Sequence, residues 1–287
     1  MKIVYLVQVH KEAEQIKNLV DLLSGGDNHC FVHVDAKSDR LFHTLSRVYS
    51  DISNVHIIAE RIDVHWSGFS QVEATLALLQ ALWDVKIDFD RIQLMSGEDL
   101  PVKRLDEVEK FLTHNADKEY LEYAEIGKMR WRVKRYNLLT ESNHNRTLAV
   151  RAIQKIVRIA QVFIPERDIL EGYKLYKGSS WFNLSREAVV YIRHFLDRNP
   201  TFPDAFRYSA CADEHFFQIL LLNSPLADRI VNDNLYYMEW TERKASPDYL
   251  SPDLFDGSSP AEHILFARKF DRRTARILTE RIHTHEA

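Results

Sequence analysis

Over its first 125 residues the chain alternates short apolar runs with amphipathic stretches. Residues 3–9, IVYLVQV, read as a buried strand, and residues 12–23 follow with Ile16, Leu19, Val20 and Leu23 at helical spacing. The same pattern predicts further strands at 30–34, 55–58 and 91–95. It predicts further helices at 39–49, 72–83 and 105–112; in 72–83, Leu76, Leu79 and Leu82 fall in phase. Strands alternating with helices imply a parallel sheet covered by helices on both faces. Ligands of such sheets bind past the carboxyl ends of the strands. Beyond Tyr123 the regularity fails. Basic helices are expected over 128–139 and 147–163, the second closed by Pro165. A strand at 181–184, helices at 186–196 and 213–222 and a short strand at 236–240 follow. No repeat, low-complexity tract or long Pro/Gly/Ser linker interrupts the chain, so one α/β domain with an elaborated second half is expected.

Composition narrows the classes. With 287 residues, 45% hydrophobic and 28% charged, the chain is an ordinary globular one, long enough for a large core. The formal net charge of −4 excludes a chain-wide basic footprint for nucleic acid. The sum conceals an asymmetry, because residues 128–177 hold twelve Lys and Arg against four Asp and Glu. Two cysteines, Cys30 and Cys211, exclude a disulfide scaffold and a Cys-rich metal knuckle. The first residues are too short an apolar run for a signal segment, and no stretch of about 18 apolar residues suggests a membrane span. A cytoplasmic protein is the expectation. The two sequons, at Asn145 and Asn183, are then expected to be coincidental.

No GxxxxGK[ST] or GxGxxG occurs, and only eight glycines are present, so a phosphate would be held by side-chain cations rather than by a glycine-rich nest. Two predicted strand ends carry polar clusters. His33-Val34-Asp35-Ala36-Lys37 offers an acceptor for a base or ribose, or a helix N-cap. Ser96-Gly97-Glu98-Asp99-Leu100-Pro101 offers two adjacent carboxylates, or an Asx turn. Asp88-Phe89-Asp90 matches a DxD metal pattern but precedes its strand, on the wrong end of the sheet; no metal site is expected. Ser179, Ser180 and Trp181 suit a sugar face, with Trp181 alternatively core. Asp213 reads as an N-cap and Glu214 as a first-turn carboxylate favoured by the helix dipole. Arg243-Lys244 and Arg268-Lys269 could each clamp a diphosphate or lie on the surface.

Taken in order, VQVHK, FVHVDAKSD, VHWSGFSQVEATL, SGEDLPVK, GSSWFNLSREAV, DEHFFQ and LFARKFD resemble the core-2/I-branching β-1,6-N-acetylglucosaminyltransferases and their xylosyltransferase relatives, glycosyltransferase family 14. The likeness spans residues 1–138 and 174–271; residues 140–173 have no counterpart. A bacterial cytosolic member is the reading, since the membrane anchor and disulfides of the eukaryotic members are missing. The resemblance implies a single GT-A domain over 1–271, with a nucleotide-binding half (1–125), an acceptor and catalytic half (126–271) and a tail (272–287). It implies a UDP-sugar donor, GlcNAc or xylose, a glycan or lipid-linked saccharide acceptor, inversion, and no metal or other cofactor. Glu214 matches the catalytic base and Lys269 the lysine on the diphosphate; spacing favours Lys244 as a second cation, with Arg243 left open. Val7, Asp35, Trp66 and Asp99 match donor contacts. Glu119 or Glu122, Lys128 and Arg130 match acceptor contacts. The alternatives are a metal-dependent or retaining glycosyltransferase and a non-catalytic nucleotide-sugar or glycan binder. The basic amphipathic stretch 147–163 could lie on an anionic membrane near a lipid-linked acceptor, or serve as a lid or packing helix.

Overall fold

The central strand β1 (Ile3–Val9) is buried along its whole length, as a strand covered on both faces must be. A computed structural model describes residues 1–145, 147–242, 244, 246–255 and 261–284. Helix α1 (Ala13–Leu23) leads to β2 (His29–Val34), α2 (Asp39–Val48), β3 (Val55–Ile57), α3 (Ser70–Val85) and β4 (Arg91–Ser96). These alternate as the hydrophobic pattern predicts, to within two residues at each end. Next come β5 (Asp99–Pro101), α4 (Leu105–His114), β6 (Glu119–Leu121), β7 (Ala124–Glu125), α5 (Trp131–Lys134) and α6 (Leu148–Ala160). The chain ends with β8 (Tyr176–Lys177), β9 (Phe182–Ser185), α7 (Arg186–Arg198), α8 (Phe216–Leu222), β10 (Ile230–Val231), β11 (Tyr236–Met238), β12 (Phe266–Arg268) and α9 (Arg272–Thr284).

Seven strands form the main sheet in the order β10-β6-β9-β4-β1-β2-β3. Only β9 runs against its neighbours β4 and β6; the others share one direction. The mixed α/β domain with a mostly parallel sheet is of the GT-A type. Strand order reverses between β1 and β4, so a crevice opens past their carboxyl ends. Two small sheets complete the domain. In one, β12 lies between β11 and β5, and its register sets Arg268 opposite Asp99. In the other, β7 pairs with β8, so the chain leaves the sheet after Glu125 and returns at Tyr176.

Three expectations change. The helix over 128–139 is cut to a turn and the four residues of α5, because tertiary partners take the backbone groups beyond it. Lys134 O accepts from Arg167 N–H (3.0 Å), Tyr136 N–H donates to Gln161 Oε1 (2.7 Å), and Asn137 N–H to Tyr208 O (2.9 Å). The helix expected from Asp213 starts at Phe216, with Glu214 in a separate short turn, Ala212–Glu214. The segment read as a tail is α9, which packs on α1 and buries Ala275 and Leu278. Asn183 of the second sequon is fully buried, its Oδ1 accepting from Arg91 Nε (2.6 Å). Among the described residues no helix is long and apolar enough to cross a membrane.

Two buried histidines are held neutral. His33 accepts from Ile62 N–H at Nε2 (2.9 Å), and His215 donates from Nδ1 to Tyr176 O (2.9 Å). Burial, above all, lowers each from the ordinary 6.5 to about 4. Between these values the unfolded chain takes up protons that the folded chain refuses. Stability is therefore complete above pH 6.5 and lost as pH falls to 4, by about 3 kcal/mol for each histidine. Denaturant midpoints measured from pH 7 to 4 should show this slope. His33→Gln, which keeps an acceptor for Ile62, should remove its share; an unchanged slope would refute the assignment.

Candidate active site

A cleft of about 870 Å³ opens at the carboxyl ends of β1, β2 and β4. From the sheet come Gln8, His10, Asp35 and Glu98; from the second half come Ser179, Trp181, Glu214 and Lys269. Glu214 reaches the cleft because Cys211 adopts a left-handed backbone (φ 52°) just before its turn, and Gly178 N–H donates to Glu214 O (2.8 Å). A side chain at Gly178 has no room, since a Cβ would stand 1.8 Å from Glu122 O. The Glu214 carboxylate is about one-third exposed and accepts a charged hydrogen bond from Arg132. Asp213 turns inward and accepts from Ser180 Oγ (2.5 Å) rather than capping a helix. Burial, then the neighbouring charge of Glu214, pushes the Asp213 carboxyl up to about 6.

The cations stand on the small sheet. Arg268 pairs with Asp99 (2.5 Å), donates to Ser96 Oγ, and stacks over Trp181 at 4.7 Å. Asp99 also accepts from Ser96 N–H (2.7 Å), Ser96 Oγ (2.8 Å) and Tyr236 OH (3.3 Å). Burial raises the Asp99 carboxyl above its usual range, while Arg268 and Ser96 pull it back. Lys269 Nζ lies 4.4 Å over the Tyr249 ring and 3.4 Å from Ser246 Oγ. At the far side of the crevice, Asp35 accepts from Lys37 N–H (2.8 Å) and faces Lys37 Nζ at 3.2 Å.

Of the residues singled out in the sequence, Glu214, Asp35, Trp66, Lys269, Glu122, Ser179 and Trp181 line this cleft. His33, Lys37, Ser96, Glu98, Ser180, Asp213 and Arg268 border it as well, and the remaining ones lie elsewhere. Val7 is fully buried in β1 and does not border the cleft; its neighbours Gln8 and Val9 do. Asp99 stands behind Arg268 with no exposure. Glu119 is fully buried, accepting from Ser185 N–H (2.7 Å) and pairing with Arg229 (3.1 Å), so it braces the sheet. Lys128 and Arg130 are exposed outside the cleft, and Arg130 pairs with Glu166 (2.9 Å). Lys244 is an exposed partner of Asp248, also outside the cleft. Arg243 lies outside the described residues. Asp88 pairs with Arg186, and Asp90 accepts from Lys2 N–H (2.7 Å), both at the end of β4 away from the cleft. Among the described residues no group of three or more His, Cys, Asp or Glu is gathered as a metal-binding set.

Sequence reasoning missed Arg132, for which no pattern exists: it lies 82 residues from Glu214. It saw Arg268 only as half of a cation pair; the polar SGEDLP turn held the signal, because a buried Asp99 needs a cation.

The family model for the core-2/I-branching enzyme matches residues 3–256, most of the chain. The chain belongs to the core-2/I-branching enzyme family. Its curated relatives include xylosyltransferase oxt of Drosophila pseudoobscura pseudoobscura, 24% identical, xylosyltransferase 2 of Canis lupus familiaris, 25%, and xylosyltransferase 1 of Homo sapiens, 25%. Each alignment covers 94% of this chain but 32%, 32% and 29% of the relative, so the chain spans about a third of their length. The family match takes in Glu214 and the β4–β5 turn and stops short of Arg268 and Lys269.

Proposed function

We propose that the protein is an inverting glycosyltransferase that moves GlcNAc or xylose from a UDP-sugar to a hydroxyl of a glycan acceptor without a metal. One observation carries this: a carboxylate, Glu214, and two cations, Arg268 and Lys269, reach the same cleft at the switch point of the sheet. Glu214 takes the acceptor's proton as its oxygen attacks the anomeric carbon; a positioned base contributes about 10²–10⁴ in rate. The bond to UDP breaks, and the charge gathering on the β-phosphate meets Arg268 and Lys269. Both are fixed in advance by Asp99, Ser96, Trp181 and Tyr249, so little reorganisation opposes the step. Arg268 takes the place expected of Lys244. Arg132 donates to the Glu214 carboxylate and orients it. Glu122, Ser179 and the Trp181 face supply hydrogen-bonding and stacking groups for a sugar.

The test is UDP release from UDP-xylose and UDP-GlcNAc with a panel of glycan acceptors, in excess EDTA, with the product's anomeric configuration read by NMR. Acceptor-dependent release that survives EDTA, with an inverted product, is expected. The productive donor should also raise the melting temperature, by the equivalent of about 2.7 kcal/mol at one hundred times its Kd. Complete loss in EDTA restored by Mg²⁺ would favour a metal-dependent enzyme. Donor binding with no transfer to any acceptor would favour a binding protein.

A further inference from the structure

Helix α6 leaves most of its large apolar side chains in solvent, unlike a packing helix. No residue within it is fully buried. The side turned toward the protein is that of Val150, Gln154 and Val157, followed by the buried Gln161. Tyr136 and Arg135 tie that end down, through Tyr136 N–H to Gln161 Oε1 (2.7 Å) and Arg135 to Gln161 O and Ile164 O. The apolar arc faces solvent instead: Leu148 is 83% exposed, Ile156 67%, Ile159 58% and Phe163 91%, with Ile153 at 49% between them. At 100° per residue these positions fall on one side. Exposed Arg151 and Lys155 flank that side, and Arg158 leans back over the Trp131 ring at 4.3 Å. The helix carries no acidic residue.

We infer that this face docks on an anionic lipid surface. A lid would bury its large apolar side chains on the protein, and α6 turns only Val150 and Val157 inward while its leucine and isoleucines, with Phe163, stay exposed. A second copy seated face to face would bring Arg151 and Lys155 against their own counterparts, a like-charge contact. An exposed apolar arc edged with cations matches a bilayer interface, where hydrocarbon takes the arc and anionic headgroups take the cations. The helix is joined to the cleft: Trp131, under Arg158, adjoins the Arg132 that holds Glu214, and Asn145 donates to Trp66 O (2.5 Å). On the glycosyltransferase reading, on which this last step rests, docking would present the acceptor side of the cleft to membrane-borne saccharides.

The test is co-sedimentation of the full chain with phosphatidylcholine vesicles, with and without about one-third phosphatidylglycerol. Binding is expected to the anionic vesicles at low salt and to weaken as salt rises. Ile156→Asp/Phe163→Asp should abolish it. Arg151→Glu/Lys155→Glu should weaken it at least about tenfold. All four side chains are exposed, so both variants should keep the wild-type melting temperature and donor-induced thermal shift. That shift reports the cleft independently, so failure here is distinct from failure of the proposed activity. No binding to anionic vesicles at low salt overturns the inference, as does binding that Ile156→Asp/Phe163→Asp leaves intact. So does a wild-type dimer in sedimentation velocity that the same variant dissolves, which would make the face a self-interface.

Discussion

Glu214→Gln should lower turnover by about 10²–10⁴ while donor affinity stays within a fewfold of wild type. The amide fills the space of the carboxylate and leaves an oxygen for Arg132, so the turn Ala212–Glu214 and the Gly178 contact should persist. What disappears is the ability to take a proton. Removing that ability strikes the chemical step and not the cation side of the cleft, where Arg268 and Lys269 sit. Steady-state UDP release with saturating acceptor gives the turnover; the donor-induced thermal shift gives the affinity. Turnover within about threefold of wild type would strip Glu214 of its role, since a general base is worth far more than that.

Asp99→Ala should destabilise the fold by about 3–5 kcal/mol, read as a lower midpoint in urea at unchanged slope. Asp99 has no solvent exposure and gathers four hydrogen bonds, two from Ser96 and one each from Arg268 and Tyr236. Truncation leaves Arg268 without its counter-charge in a low-dielectric setting, which is why breaking such a pair outweighs its net worth. The companion variant Asp99→Leu/Arg268→Met separates the two roles. It should recover most of the stability, because two apolar groups need no pairing. It should still lose donor affinity, because the cleft is then one cation short. Wild-type stability in Asp99→Ala, or full donor affinity in the double variant, would contradict this account.

Legibility in the sequence follows contact range. The first half reads off almost residue by residue because its parallel strands are apolar on both faces and its helices repeat at 3.6, so each element declares itself locally. β5, β6 and β12 are three residues each, too short to show any period, and exist because of their partners. The basic 128–139 stretch has the residues of a helix but loses its backbone donors and acceptors to Gln161, Arg167 and Tyr208, all distant in sequence. The site divides the same way. Asp35 and Glu98 are legible because they end strands, and Glu214 and Lys269 through the motifs around them. Arg132 is invisible; spacing favours Lys244, which lies outside the cleft on Asp248, whereas register sets Arg268 within it. Glu119, Lys128 and Arg130 do not reach the cleft, because Glu119 is buried against Ser185 and Arg229 and the other two are exposed beyond its lining.

The two-residue ladder of β7 and β8 has a consequence for diversification. It clasps the excursion 126–175 at its base, pairing Ala124 with Lys177 and Glu125 with Tyr176, so the two ends leave and return side by side. The entropy of closing a loop grows slowly, by about 0.6 kcal/mol for each doubling of length. Closure of the excursion therefore costs little extra when its solvent-facing part, α6 included, is lengthened or re-surfaced. Any replacement must keep an acceptor for Ser70 N–H, as Glu141 provides (3.0 Å), and donors for Trp66 O and Ala205 O, as Asn145 (2.5 Å) and Arg167 (2.8 Å) provide. It must return a cation to the place of Arg132, or the carboxylate at the mouth of the cleft loses its orientation.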